Sequence, residues 1–277
     1  MVERRAHVRR AAIVVAGLAL AAAGCSGGDK KQAAPPPPPP PPKPLRIIFP
    51  EGFTRRDMAA RITAVNEIAR QRRNLNPRLS ERAYLRLTSG KVRVPGFGRE
   101  PYEGFLFPAT YDFFKKTPSK ALVRDQLETF SDNFARVNLR YARRKNLTPY
   151  DVLIIASMVE KEAQAAGERR LVAAVIYNRL HNRMPLGMDS TIRYALDVPP
   201  TESLHESQLS SSSPYNTRVH SGLPPTPIAN PGLASIEAAA HPAKVDYLYF
   251  VRKPDHVHHF FTASYRDFQN YANTHGY

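Results

Sequence analysis

Cysteine is almost absent from this chain: Cys25 stands alone in 277 residues, so no internal disulfide framework can form. No zinc-finger spacing and no HExxH motif occur, and "DHVHH" alone does not supply three or four convergent zinc ligands, so no metal is expected. Acidic residues are scarce, 24 against 40 basic ones, which leaves a net charge of +16. Such a surface favours polyanions, among them anionic lipid headgroups and wall polymers. No RNA-binding signature accompanies the charge, so a nucleic-acid partner is not expected. Long hydrophobic runs are also missing. The longest, Ala11 to Gly24, is about 14 residues, and a spanning helix needs about 20. No internal repeat is visible.

What is present begins with a targeting pattern. Arg4, Arg5, Arg9 and Arg10 precede "AAIVVAGLALAAAG", and Cys25 follows directly. A basic start, a short apolar stretch and small residues before a cut describe a secretory signal over residues 1–24. "AAGC" resembles a bacterial lipobox, although Ala22 stands where Leu is usual, which implies lipidation of Cys25. An uncleaved short membrane anchor and ordinary cleavage are the alternatives. All three place the rest of the chain outside the cytoplasm. Residues 25–44 hold "SGGDKKQAAPPPPPPPPKP", read as a disordered proline-rich stalk. Polyproline II extends about 3.1 Å per residue.

Residues 45–100 read as a small α/β unit. "LRIIF" is a strand and "PEG" a turn. Thr54 and Asp57 form a capping-box pattern ahead of a helix carrying Met58, Ile62, Val65 and Ile68 on one side. Ser80 caps a second helix that stops at Gly90, and a short strand follows. This order resembles a LysM-like carbohydrate-binding module. Residues 101–277 read as a mixed α+β domain. "KALVRDQLETFSDNFARVNLRYARRKN" is expected as one long amphipathic helix. Thr148, Pro149 and Asp151 open the next helix. "ERRLVAAVIYNRLHNR" forms another. Residues 199–234 should be ordered loops, "VDYLYFVRK" and "HHFFTASY" a hairpin, and "YRDFQNYANTH" a terminal helix.

The helix from Pro149 carries "ASMVEKEAQA", with two glutamates two apart. Val152, Leu153, Ile154, Ile155, Met158 and Val159 leave it no fully polar face, so it should be buried on most sides. Helical side chains lean over positions i−3 and i−4. Glu160 then lies over Ser157 and Ala156, which are small, and Glu162 over Val159 and Met158, which are bulky. Space beside Glu160 suits a ligand. Glu162 could pair with Lys161, Arg169 or Arg170, or emerge at the helix end. A carboxyl walled by apolar groups holds its proton towards neutral pH and can act as a general acid. The plainer alternative makes both glutamates surface charges at a fraying helix end.

"YEGFLFPATY", "ASMVEKEA", "VIYNRL", "PLGMDSTIRYAL", "SPYNTRVHSGLPPTPIANPGLASIEAAAHP", "YLYFV" and "HHF" occur in the order seen in the endolytic murein transglycosylase family, also called YceG-like. The resemblance covers roughly residues 46–270. It implies an extracytoplasmic enzyme that cuts new peptidoglycan strands and leaves 1,6-anhydro-N-acetylmuramic acid ends, with no cofactor. It places the catalytic acid/base on Glu160. Substrate contacts are expected from Asp189, Ser190, Thr191, Tyr215, Asn216, Asn178 and Glu103, with Tyr177 and Arg179 beside them. Gly187 stands where the family usually has Gln. His258 and Asn230 are expected to order the cleft wall or its loops. Membrane tethering and partnership with wall synthases are further implications. A hydrolytic muramidase or glucosaminidase, or a non-catalytic peptidoglycan-binding lipoprotein, is the alternative function.

Overall fold

Local signals in the sequence place the helices. In the computed structural model, which describes residues 43–276, Thr54 and Asp57 exchange the two bonds of a capping box and open α1 (Arg55–Arg73) after strand β1 (Leu45–Ile48). Asn74, at φ 48°, stops α1 in the left-handed conformation that Asn tolerates. The buried stripe of α1 is Met58, Ala59, Ile62, Asn66 and Ala69, while Ile68 is exposed. Ser80 caps α2 (Glu81–Leu87). The signal, Cys25 and proline-stalk expectations fall on residues outside those described, apart from Lys43 and Pro44.

Strands β2 (Lys91–Val94) and β3 (Gly98–Pro101) form a hairpin of their own. The partner of β1 is therefore β4 (Thr110–Phe113), with Leu45 opposite Phe113 and Ile47 opposite Tyr111. The helix pair is thus enclosed by β1 and β4, and the small unit reaches past residue 100 instead of closing on "KVRV". The expected single long helix after residue 119 is two: α3 (Ser119–Phe134) and the short α4 (Arg140–Arg144). Asn138 breaks it, its Oδ1 accepting from the Arg140 N–H at 3.0 Å in a turn that competes with helix.

Thr148 and Asp151 cap α5 (Pro149–Glu162), and Val152 through Val159 are all buried. A 3-10 turn at Ala166–Glu168 leads into α6 (Arg169–His181). There follow α7 (Asp189–Leu196), the single turn α8 (Glu206–Leu209), and α9 (Leu233–Ala240), which packs on α5 and α6. The antiparallel hairpin β5 (Tyr249–Arg252) and β6 (His259–Thr262) precedes α10 (Tyr265–His275). Among the described residues no helix is long and apolar enough to cross a membrane.

Two apolar clusters result. One gathers Ile47, Phe49, Met58, Ile62, Tyr84 and Phe113 between β1, β4, α1 and α2. The other surrounds α5 with Phe105, Phe130, Phe134, Ile176 and Ile236. Ala109 and Leu127 pack against both. Gly104 sits at φ +91° at their junction, where a Cβ would stand 2.6 Å from the Pro227 ring. Only glycine fits that combination of backbone and contact.

Candidate active site

Residues two apart on an α-helix point about 200° away from each other. Glu160 and Glu162, in the last turn of α5, accordingly face different surroundings. Glu160 Oε2 accepts from the Gly232 N–H at 2.9 Å. A Cβ added at Gly52 would stand 3.5 Å from Glu160 Cγ, and one at Gly232 would collide with the Glu51 carboxyl. Glu160 thus meets the Glu51–Gly52 turn and the start of α9. Loss of water, and then the Glu160 charge, push the Glu51 carboxyl above its ordinary range.

Glu162 faces a cleft of about 840 Å³ lined also by Asp189, Ser190, Tyr194, Arg252 and His259. Ser190 Oγ donates to Glu162 Oε1 at 2.6 Å. Burial pushes the Glu162 carboxyl above the usual range, and Asp189 pushes the same way. The Ser190 bond, His259 and Arg252 act against it. Glu162 is thus among the residues that line the cleft, whereas Glu160 is bonded to the Gly232 N–H beside the Glu51–Gly52 turn.

The remaining expected residues divide sharply. Asp189 and Ser190, at the start of α7, line the cleft, with Asp189 held by Arg218 Nε at 2.9 Å. Thr191 points inward, donating to the Met188 carbonyl at 2.7 Å and meeting Thr217 Oγ1 at 3.1 Å. Asn216 is buried and spends its amide on the Leu209 and Ser211 carbonyls. The Tyr215 hydroxyl lies 2.8 Å from Thr226 Oγ1, and its ring packs on Tyr194. Asn178 holds the Val245 and Tyr247 carbonyls, Tyr177 the Ala239 carbonyl, and Arg179 the Leu186 and Leu248 carbonyls. Gly187, at φ +60°, donates to the Thr217 carbonyl. These groups bond to the chain itself and order its loops.

Glu103 is likewise not at the cleft surface. Its carboxyl accepts from the Arg55 N–H at 2.9 Å, Asn230 Nδ2 at 2.7 Å and the Tyr194 hydroxyl at 3.1 Å. Burial outweighs those bonds and pushes its pKa up to about 7. Asn230 is fully buried and also ties Gly104, Leu106 and Phe53. Through Tyr194, Glu103 supports the cleft without touching its contents.

His258 is exposed and bonds Asp255 in the β5–β6 turn. Its neighbour His259 is the cleft residue. His259 Nδ1 lies 2.7 Å from Glu168 Oε2, and the His259 backbone N–H donates to Glu168 Oε1 at 2.9 Å. Both side chains are nearly inaccessible, 3% and 11% exposed. Alternation along "HHFFT" carries the signal for this frame, since His259 and Phe261 share a strand face.

A model of the YceG-like family matches residues 35–274. Two bacterial proteins named endolytic murein transglycosylase are similar. That of Bacillus subtilis is 38% identical over 155 residues, 56% of this chain and 43% of that protein. That of Streptococcus pneumoniae R6 is 39% identical over 155 residues, 54% of this chain and 28% of that protein. The match thus spans less than half the length of either relative. A YceG-like protein from Listeria monocytogenes, solved at 2.6 Å, has the same fold with a TM-score of 0.66 and 29% identity, over 82% of this chain and 76% of that one.

Proposed function

This chain belongs to the YceG-like family, and from that premise we propose that it is a peptidoglycan lytic transglycosylase with Glu162 as its acid/base. The observation that carries the assignment is the Glu162 carboxyl in the cleft, bonded to Ser190, with burial raising its pKa above the usual carboxylate range. A protonated Glu162 donates to the oxygen joining N-acetylmuramic acid to N-acetylglucosamine, and positive charge develops at C1. The resulting carboxylate then takes the proton of the sugar's own C6 hydroxyl as that oxygen closes on C1, giving the 1,6-anhydro end. One carboxyl performs both transfers, no water is consumed, and no cofactor is required. An internal nucleophile has a high effective concentration, which lets it outrun water.

Ser190 aims the Glu162 carboxyl, and Asp189, tied to Arg218, keeps the start of α7 against it. A hydrolase would need a second carboxylate across the bond. Asp189 also lines the cleft, and its ion pair with Arg218 favours a structural role. The expected setting is new glycan near the extracytoplasmic face of the bacterial membrane, reached from a lipidated Cys25 or a short anchor and a proline stalk, with wall synthases as neighbours and strand elongation as the process limited.

The test is mass spectrometry of glycan digested by wild type, Glu162→Gln and Glu160→Gln. Loss of general acid catalysis costs about 10²–10⁴-fold, so Glu162→Gln should all but abolish anhydro ends while Glu160→Gln retains them. Anhydro ends surviving in Glu162→Gln and vanishing in Glu160→Gln would return the acid to Glu160. Reducing ends from wild type, without the loss of one water, would make it a hydrolase. Binding without any product would leave a non-catalytic module.

A further inference from the structure

The charged side chains of the cleft can be followed to their partners. Arg56 pairs with Asp197 at 2.8 Å. Arg193 donates to the Pro199 and Glu202 carbonyls, each at 2.8 Å. Lys161 reaches the Gly52 carbonyl at 3.4 Å. Asp189 holds Arg218, and Glu162 holds Ser190. Among the described residues one cleft arginine is left over: Arg252, half-buried at the end of β5, has no ion pair or hydrogen bond from its guanidinium. It does not pair with Glu162, although both line the same cleft.

Its position is fixed from two sides. Arg252 lies directly opposite His259 in the β5–β6 ladder, so the two side chains stand next to each other on one face. His259 is clamped by Glu168 through two bonds of 2.7 and 2.9 Å. The imidazole is therefore held rigidly on the strand face that Arg252 shares. A guanidinium is a fixed fork of donors matched to a carboxylate, and leaving it partly desolvated without a partner is costly.

We propose that Arg252, beside His259 and its Glu168 clamp, is the subsite for a carboxylate borne on the lactyl arm of the muramyl sugar, either the lactyl carboxyl itself or one in a peptide attached to it. This rests on the glycan reading above for the identity of the sugar. It makes the cleft selective for muramyl strands over glucosamine-only polymers, which present the same backbone linkage and no carboxylate. Arg252 also stands beside Glu162, so the subsite registers the muramyl residue next to the acid.

Binding to the full chain decides the matter by titration calorimetry, in a Glu162→Gln background that prevents cleavage. Three ligands of equal length are compared: chito-oligosaccharide, peptide-free muramyl strand with the lactyl carboxyl exposed, and peptide-bearing strand. Arg252→Gln should weaken binding of carboxylate-bearing strands by about tenfold or more, with chito-oligosaccharide changed by less than about twofold on the same scale. Arg252→Lys should recover part of the loss, since it restores charge without the fork. A loss confined to the peptide-free strand identifies the lactyl carboxyl, a loss confined to the peptide-bearing strand identifies a peptide carboxylate, and a loss shared by both shows that the subsite takes either. Equal losses for all three ligands, no loss for any, or no binding of muramyl strands overturns the subsite. Absence of anhydro ends from wild type, with the Arg252 selectivity intact, would sink the lytic reaction alone.

Discussion

Ser190 and Glu162 show how one hydrogen bond tunes an acid. The Ser190 hydroxyl favours the ionised carboxylate and so lowers a pKa that burial has raised. A general acid works only while protonated, so activity should fall as pH rises through the Glu162 pKa. Ser190→Ala removes the lowering bond. The alkaline limb of kcat/KM should then move to higher pH, while kcat falls several-fold, on the order of 10-fold, because the carboxyl is no longer aimed. A limb that stays in place or moves to lower pH would contradict this role. Glu103 gives a second pH signature, read in stability. Its folded pKa of about 7 lies above the ordinary 4.5. The protonated form is the one the fold accepts, so this stability is fully present below about pH 4.5, declines as pH rises, and is lost above about pH 7. The swing is on the order of 3 kcal/mol. Glu103→Gln cannot titrate. Urea denaturation should show wild type losing that much relative to the variant between pH 5 and pH 8. A gap independent of pH would show that Glu103 ionises normally.

At the level of elements, the sequence was most legible where a cap and a period coincide. Thr54 with Asp57 and Thr148 with Asp151 mark α1 and α5 because capping is local chemistry, complete within four residues. The long helix expected after residue 119 failed for the same reason in reverse: Asn138 offers its neighbour a competing local bond that apolar spacing does not register. Strand partners were not legible. β1 could pair with β2 or β4 by composition, and only the β2–β3 hairpin, which takes β2 out of reach, decides. The site suffered most from this long-range dependence. Neighbour sizes along α5 pointed to Glu160, but its neighbours across space, the Gly52 turn and the Gly232 N–H, come from residues far away in the chain. Glu162 emerges where the helix ends and Ser190 arrives from 28 residues further along. His258 and His259 differ by one position, and a one-residue shift in a strand exchanges the buried face for the exposed one. The Asn- and Tyr-rich loop motifs looked like sugar contacts because amides and hydroxyls suit sugars; here they suit backbone carbonyls equally well and are consumed by them.

For the described part of the molecule as a whole, the decisive link is Asn230. It lies far along the chain from Phe53 and Glu103, yet it binds both, and its Oδ1 accepts from the Gly104 and Leu106 N–H groups at 2.9 and 3.0 Å. Those contacts join the β1–α1 region to the strand–loop segment before β4 and to the start of α9. The two apolar clusters therefore share a polar seam as well as Ala109 and Leu127. Cooperative unfolding follows: calorimetry of wild type should show one transition for residues 43–276, with both clusters melting together. Asn230→Ala leaves two buried N–H groups without acceptors, at about 1–3 kcal/mol each, and strips a donor from Glu103. A loss of about 3–6 kcal/mol consumes much of a typical domain's stability. Tm should drop by roughly 6–24 °C for a chain of this size, and the single transition should broaden or split as the clusters separate. Two resolved transitions already present in wild type, or an Asn230→Ala variant that melts within about 2 °C of it, would mean that the seam does not couple the clusters.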